Sequence, residues 1–180
     1  MVEEQADALV LFGITGDLAE KKLIPALYEL TSEGRLDMPV VGTARSQWTD
    51  ERLADHIREV LQGRDEAIVD RLCSHLSYVE GDYQNPAVYD LISEKLGDAR
   101  LPVFFMAIPP SLFDDVATGL AGVGFATNGR LVVEKPFGRD LASAIELNEI
   151  LHRHFHEDQI FRIDHFPVSY THLRAHETSP

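Results

Sequence analysis

Residues 8–12, Ala-Leu-Val-Leu-Phe, form a short unbroken apolar run that leads directly into Gly13-Ile14-Thr15-Gly16-Asp17-Leu18-Ala19. An apolar run of that length ending on glycine predicts a strand buried on both faces that enters a tight turn. After the turn, Leu23, Ala26, Leu27 and Leu30 recur at spacings of three and four, which predicts a helix over residues 18–30 with Gly34 as its stop. A strand apolar on both faces calls for covering layers on both sides, the arrangement of a parallel sheet held between helices.

The same alternation continues along the chain. Residues 39–44 read as a second buried strand, and Thr49 caps a helix that has Asp50 and Glu51 in its first turn and Leu53, Ile57, Val60 and Leu61 on its inner face. Residues 65–74 read as a helix and residues 76–79 as a strand. Asn85 followed by Pro86 starts a helix carrying Val88, Leu91, Ile92 and Leu96, which Gly97 ends. Residues 103–108 are an apolar run stopped by Pro109 and Pro110, with Ser111 as the expected cap of the helix that follows. A strand at 131–133, a helix at 142–151 and a strand at 160–163 complete the pattern. The fold class expected is α/β: a doubly wound, Rossmann-type parallel sheet with helices on both faces, spanning residues 1–166. Residues 167–180 show no period and no core face, and read as a disordered or artefactual tail.

Composition limits the ligands. Hydrophobic residues make up 44% of the 180, enough to bury a core. Thirty acidic residues against 16 basic ones give a net charge of −14, which repels phosphate backbones and anionic lipid, so neither nucleic acid nor membrane is an expected partner. An anionic ligand must then be held by local cations and backbone N–H groups. Cys73 is the single cysteine, which excludes an internal disulfide framework and a cysteine zinc site. The acidic N-terminus is the reverse of a secretory leader, and no apolar run approaches 18 residues. A reducing, cytoplasmic compartment is expected.

The chemistry-bearing residues follow strands, where ligands of such sheets sit. In the first turn, Gly13 allows the bend, Gly16 lets a pyrophosphate approach the backbone, and Ala19 lets helix pack on sheet, with the helix N-terminus aimed at the phosphates. The second strand ends Gly42-Thr43-Ala44-Arg45-Ser46, so the carboxylate of an NAD-type ribose site is absent and a guanidinium stands close by. Arg45 can pair with a 2′-phosphate, which points to NADP. Pro109-Pro110 reads as a helix-entry turn. Glu134-Lys135-Pro136-Phe137-Gly138 places a lysine where substrate would meet the nicotinamide, and Asp164-His165 sets a carboxylate beside an imidazole at the last strand end. His152, His154 and His156 crowd a helix C-terminus, where imidazolium favours the negative pole; no metal site is expected from them.

Taken in order, residues 13–19, Lys22-Leu23-Ile24-Pro25, residues 41–45, Ala107-Ile108-Pro109-Pro110, residues 134–138 and Arg162-Ile163-Asp164-His165-Phe166 make the chain resemble the glucose-6-phosphate dehydrogenase family from about Leu9 to Phe166. The resemblance implies a dehydrogenase of the pentose phosphate pathway that oxidises carbon 1 of glucose 6-phosphate to the 6-phosphogluconolactone, with hydride transfer to NADP. It implies that Gly13, Thr15, Gly16, Asp17 and Leu18 hold the pyrophosphate, that Arg45 holds the 2′-phosphate, and that Pro109 joins the cofactor set. It places Lys22 and Lys135 near the sugar, with Lys135 also beside the nicotinamide, and His165 on the sugar phosphate. Asp164 would orient the general base of the family, a histidine from a second domain that this chain lacks. By the same resemblance, full-length members are expected to be homo-oligomers, and the piece alone is expected to bind NADP weakly at best and not to turn over, with an apolar patch exposed where the second domain would pack. Two departures stand out: Glu20, read as a harmless exposed position where the family carries a basic residue, and Phe166 in place of its tyrosine. The alternatives are a sugar or polyol oxidoreductase of the glucose-fructose oxidoreductase type, or a non-catalytic nucleotide-binding module.

Overall fold

A computed structural model of the protein describes residues 5–134 and 140–163. Within them, β1 (Ala8–Phe12), β2 (Val40–Ala44), β3 (Leu76–Glu80), β4 (Pro102–Met106), β5 (Arg130–Glu134) and β6 (Ile160–Ile163) form one sheet in the order β3-β2-β1-β4-β5-β6. Every neighbouring pair is parallel. The chain starts in the middle of the sheet, winds outward to β3, returns to the other side of β1 and winds outward again, which is the doubly wound order expected. The reversal of direction lies between β1 and β4. Phe12 is level with Thr43 on one side and Met106 on the other, so the carboxyl ends of β1, β2 and β4 open onto one edge.

Among the described residues six α-helices cover the sheet: α1 (Ile24–Ser32), α2 (Asp50–Val60), α3 (Glu66–His75), α4 (Ala87–Leu96), α5 (Phe113–Gly122) and α6 (Leu141–His152). Side chains alternate across a strand, and the alternation sorts the core into two layers. Val10, Phe12, Phe104, Met106, Leu131 and Val133 point to one face, where α4, α5 and α6 bury Tyr89, Ile92, Val116, Leu120 and Leu147 against them. Leu11, Val40 and Ala44 belong to the opposite layer with Leu27 of α1, Leu53 and Ile57 of α2, and Leu72 of α3. This second layer holds no residue of β5 or β6.

Most helix starts are fixed by side-chain caps that the sequence displays. The Thr49 hydroxyl accepts the Arg52 N–H at 3.2 Å, and Oδ1 of Asn85 accepts the Ala87 N–H at 3.1 Å with Pro86 between them. Asp140 and Ser143 cap α6 reciprocally. Gly97, at φ 58°, ends α4 as expected.

Three expectations need correction. The helix predicted from residue 18 opens as a π-helical turn over Ala19–Leu23, with the Ile24 N–H reaching back to the Ala19 carbonyl. Pro25 has no N–H to give and its ring crowds the preceding carbonyls, so the chain widens before α1 proper. β4 begins at Pro102 and stops at Met106 rather than running to 108. Ser111 caps nothing: it lies inside a 3-10 turn over Pro110–Leu112, and α5 starts at Phe113 without a side-chain cap. No helix among the described residues is long and apolar enough to cross a membrane.

Candidate functional site

The turn after β1 depends on glycine at position 13. Gly13 has φ +84°, and a Cβ placed on it would fall 2.2 Å from the carbonyl oxygen of Ala107, the first residue beyond β4. The missing side chain thus lets β1 and β4 close together where the sheet reverses direction. Gly13 N–H donates to the Thr43 carbonyl at 2.8 Å, and Gly16 N–H donates to the Gly13 carbonyl at 3.0 Å. Glu20 N–H donates to the Gly16 carbonyl at 3.1 Å, which carries the turn into the helix. Gly16 is exposed, and a Cβ there would meet nothing closer than the Gly13 carbonyl at 3.2 Å, so its outer side is open to a ligand. An exposed, glycine-lined backbone at a helix N-terminus fits a pyrophosphate.

A buried tyrosine that sequence inspection passed over holds this turn in place. The Tyr83 hydroxyl accepts the Gly13 N–H at 3.1 Å and donates to the Thr43 carbonyl at 2.9 Å. Burial pushes its phenol up to about 12. Tyr89 in turn donates to the Tyr83 carbonyl at 2.6 Å, which ties the β3–α4 connection to α4.

Arg45 lies one residue past β2 and is exposed beside the turn, whose Thr15 hydroxyl accepts a hydrogen bond from Ser46 at 3.2 Å. Its guanidinium is not solitary. Nη2 lies 2.9 Å from Oδ1 of Asp82, two residues past β3. Asp82 also accepts the Gln84 N–H, and that N–H, followed by Arg45, holds its carboxyl below the usual carboxylate range. Asp17, in the turn, pairs with Lys21 at 3.0 Å, while Lys22 is exposed. Glu20 is not the bare surface position expected: its carboxylate lies 3.4 Å from Nε2 of the buried His56, whose ring meets that of Trp48 at a tilt of 59°.

Next to the turn a cavity of about 300 Å³ opens at the point of reversal, lined by Leu18, Met106, Ala107, Ile108, Pro109, Pro110, Phe113 and Glu134. It joins the end of β1 to those of β4 and β5, where an open α/β sheet holds its ligands. Pro109, expected in the cofactor set, is one of its walls. A larger hollow of about 470 Å³ lies at the α2–α3 connection and is lined by no residue of a strand or of the glycine turn. The arginines there are taken, Arg58 by Asp55 and Asp70, and Arg64 by Glu29.

The structure therefore brings Gly13, Thr15, Gly16, Asp17, Leu18, Arg45 and Pro109 to one edge of the sheet. Lys135, Asp164 and His165 lie outside the described residues. His152 pairs with Glu157 at 2.8 Å and His154 lies 3.3 Å from the Thr118 hydroxyl. Asp82 and Tyr83 were missed because neither sits in a glycine-rich or charged run. The only hint was their place just beyond an apolar strand.

Residues 10–168 match the family model described as glucose-6-phosphate dehydrogenase, NAD binding domain. A glucose-6-phosphate 1-dehydrogenase of Mycobacterium bovis is 44% identical over 165 residues, covering 89% of this chain and 35% of the relative. The crystal structure of glucose-6-phosphate 1-dehydrogenase from Mycobacterium avium superposes with a TM-score of 0.85 at 42% identity, over 89% of this chain and 37% of that one. A glucose-6-phosphate dehydrogenase in complex with its substrate glucose-6-phosphate gives a TM-score of 0.79 at 37% identity, with the same coverage of 89% and 37%. The chain thus spans about a third of the length of the curated relatives it matches. Neither alternative drawn from the sequence is favoured by these likenesses.

Proposed function

Since the chain belongs to the glucose-6-phosphate dehydrogenase family, we propose that it is the coenzyme-binding part of an NADP-dependent enzyme that oxidises glucose 6-phosphate to the 6-phosphogluconolactone. The observation that carries this reading is the pairing of an open glycine turn at the sheet's point of reversal with an exposed guanidinium at the end of the next strand. Gly13, Thr15, Gly16, Asp17 and Leu18 would hold the pyrophosphate against the helix N-terminus, and Arg45 the 2′-phosphate. The cavity walled by Leu18, Pro109, Pro110 and Phe113 would take the nicotinamide end. When bound, the dinucleotide supplies the hydride acceptor.

Around that acceptor the reading gives each remaining candidate one task. Lys135 hydrogen-bonds the sugar hydroxyl at carbon 1 and steadies the nicotinamide side, with Pro136 setting its angle. His165 binds the sugar phosphate, and Lys22 adds positive charge beside the sugar. Asp164 acts as a positioning residue for a histidine base supplied by the remaining length of the enzyme, in the manner of a carboxylate that orients an imidazole and stabilises its charged form. Residues 1–166 are proposed as this coenzyme unit.

The test joins this chain to the remaining length of the mycobacterial relative and follows reduced coenzyme by absorbance. The chimera is expected to turn over glucose 6-phosphate with NADP, and Lys135→Ala or Asp164→Asn to lower kcat by roughly 10²-fold or more. Undiminished kcat in both variants would contradict the assignment.

A further inference from the structure

The carboxylate that a ribose site with a free 2′-hydroxyl ordinarily takes from the end of the second strand is missing from residues 42–46, yet the fold delivers one to that place from the neighbouring strand. β2 and β3 run level, Ala44 against Glu80, and the ladder continues one step further through the Gly81 N–H to the Ala44 carbonyl at 3.0 Å. Arg45 and Asp82 therefore leave adjacent strand ends side by side, and meet at 2.9 Å. We propose that Asp82 is a specificity-determining residue of the coenzyme site: it restrains the preference for the 2′-phosphorylated dinucleotide and lets the site accept the unphosphorylated one as well. This rests on the reading of the glycine turn and Arg45 as that site.

Asp82 is held, not adrift. Its carboxylate accepts the Gln84 N–H, and the next residue, Tyr83, is buried and bonded to Gly13 and Thr43. Stability does not explain the pair, because both side chains are more than half exposed, at 60% and 52%, and exposed ion pairs add little to a fold. Charge and valence do explain it. Asp82 occupies one nitrogen of a guanidinium that offers five N–H donors, so the others remain free for a phosphate. A 2′-phosphate seated on them stands one guanidinium away from a carboxylate, and the like charges oppose each other. A 2′-hydroxyl in the same place can instead donate its proton to Asp82, the bond that the absent second-strand carboxylate would have made.

The experiment titrates the full chain with NADP and with NAD by calorimetry, at low and high salt, for wild type, Asp82→Asn and Arg45→Ala. Asparagine keeps an oxygen for the Gln84 N–H, so the loop is retained while the charge is removed. Asp82→Asn is expected to bind NADP about fivefold more tightly at low salt and NAD about threefold more weakly, with the NADP gain shrinking as salt rises. An unchanged ratio of the two affinities, or a parallel fall in both, in a protein where Arg45→Ala still weakens NADP, would overturn the role of Asp82 and leave the coenzyme site standing. Failure of folded wild type to bind either dinucleotide would overturn the coenzyme site itself, and the role of Asp82 with it.

Discussion

Tyr83 and Thr43 do for the glycine turn what no residue inside the turn can do. The Thr43 carbonyl receives the Gly13 N–H at 2.8 Å and the Tyr83 hydroxyl at 2.9 Å, so one oxygen fastens the turn to β2 and, through the phenol, to the β3–α4 connection. Tyr83→Phe removes a hydroxyl that both accepts and donates in a buried place, and should lower unfolding free energy by about 1–2 kcal/mol at neutral pH, measured by urea denaturation. The pH dependence has a definite sign. The folded phenol at about 12 lies above the unfolded value of about 10, so its contribution is whole below pH 10 and fades as pH rises toward 12. The stability gap between wild type and Tyr83→Phe should accordingly narrow across that alkaline window and stay constant from pH 6 to 9. Gly13, Gly16 and Arg45 were legible because each carries its signal locally, as a turn glycine or as a cation at a strand end. Asp82 and Tyr83 were not, because their partners lie 37 and 40 residues away and only the pairing of β2 with β3 brings them together.

Four of the six described α-helices, α2, α3, α4 and α6, begin where a side-chain oxygen meets a free N–H. Thr49, Asp65 and Asn85 each accept a backbone N–H two or three residues ahead, at 3.2, 2.9 and 3.1 Å. Thr49→Ala should cost about 1 kcal/mol through the loss of the α2 cap. Its thermal midpoint should fall by a few degrees, and an unchanged midpoint would show that the first turn of α2 is held by packing alone. Two of the three local misreadings fall at prolines. Pro25 lies within the helical hydrophobic pattern, which says nothing of a missing donor, whereas Pro110 lies in the turn that enters α5. At Pro25 the helix widens into a π turn, and at Pro110 it tightens into a 3-10 turn before α5. Both irregular turns border the candidate site, one following the glycine turn and the other walling the cavity.

The sheet as a whole explains how a chain with a net charge of −14 can offer an anion a place to bind. Parallel strands deliver the glycine turn, the start of a helix and Arg45 to one edge, and the proposed coenzyme site requires local fields there to outweigh a repulsion that is spread over the surface and screened by salt. The two layers and their winding order were legible because strands apolar on both faces alternate with helical periods. What the sequence could suggest only through a family resemblance is that, among the described residues, apolar side chains of β5 and β6 are left partly exposed. Phe161 is 45% exposed in β6, and its cross-strand partner Val132 is half-buried, on the face whose core layer contains no residue of β5 or β6. The central claim remains that the glycine turn and Arg45 together grip a dinucleotide that carries a 2′-phosphate. Its most direct test is calorimetric titration of the folded chain with NADP, repeated with Arg45→Ala. Saturable binding is expected, weakened by Arg45→Ala about tenfold or more in keeping with the loss of a paired phosphate contact. Equal NADP affinity in the two proteins, or no saturation in a natively folded wild type, would contradict it.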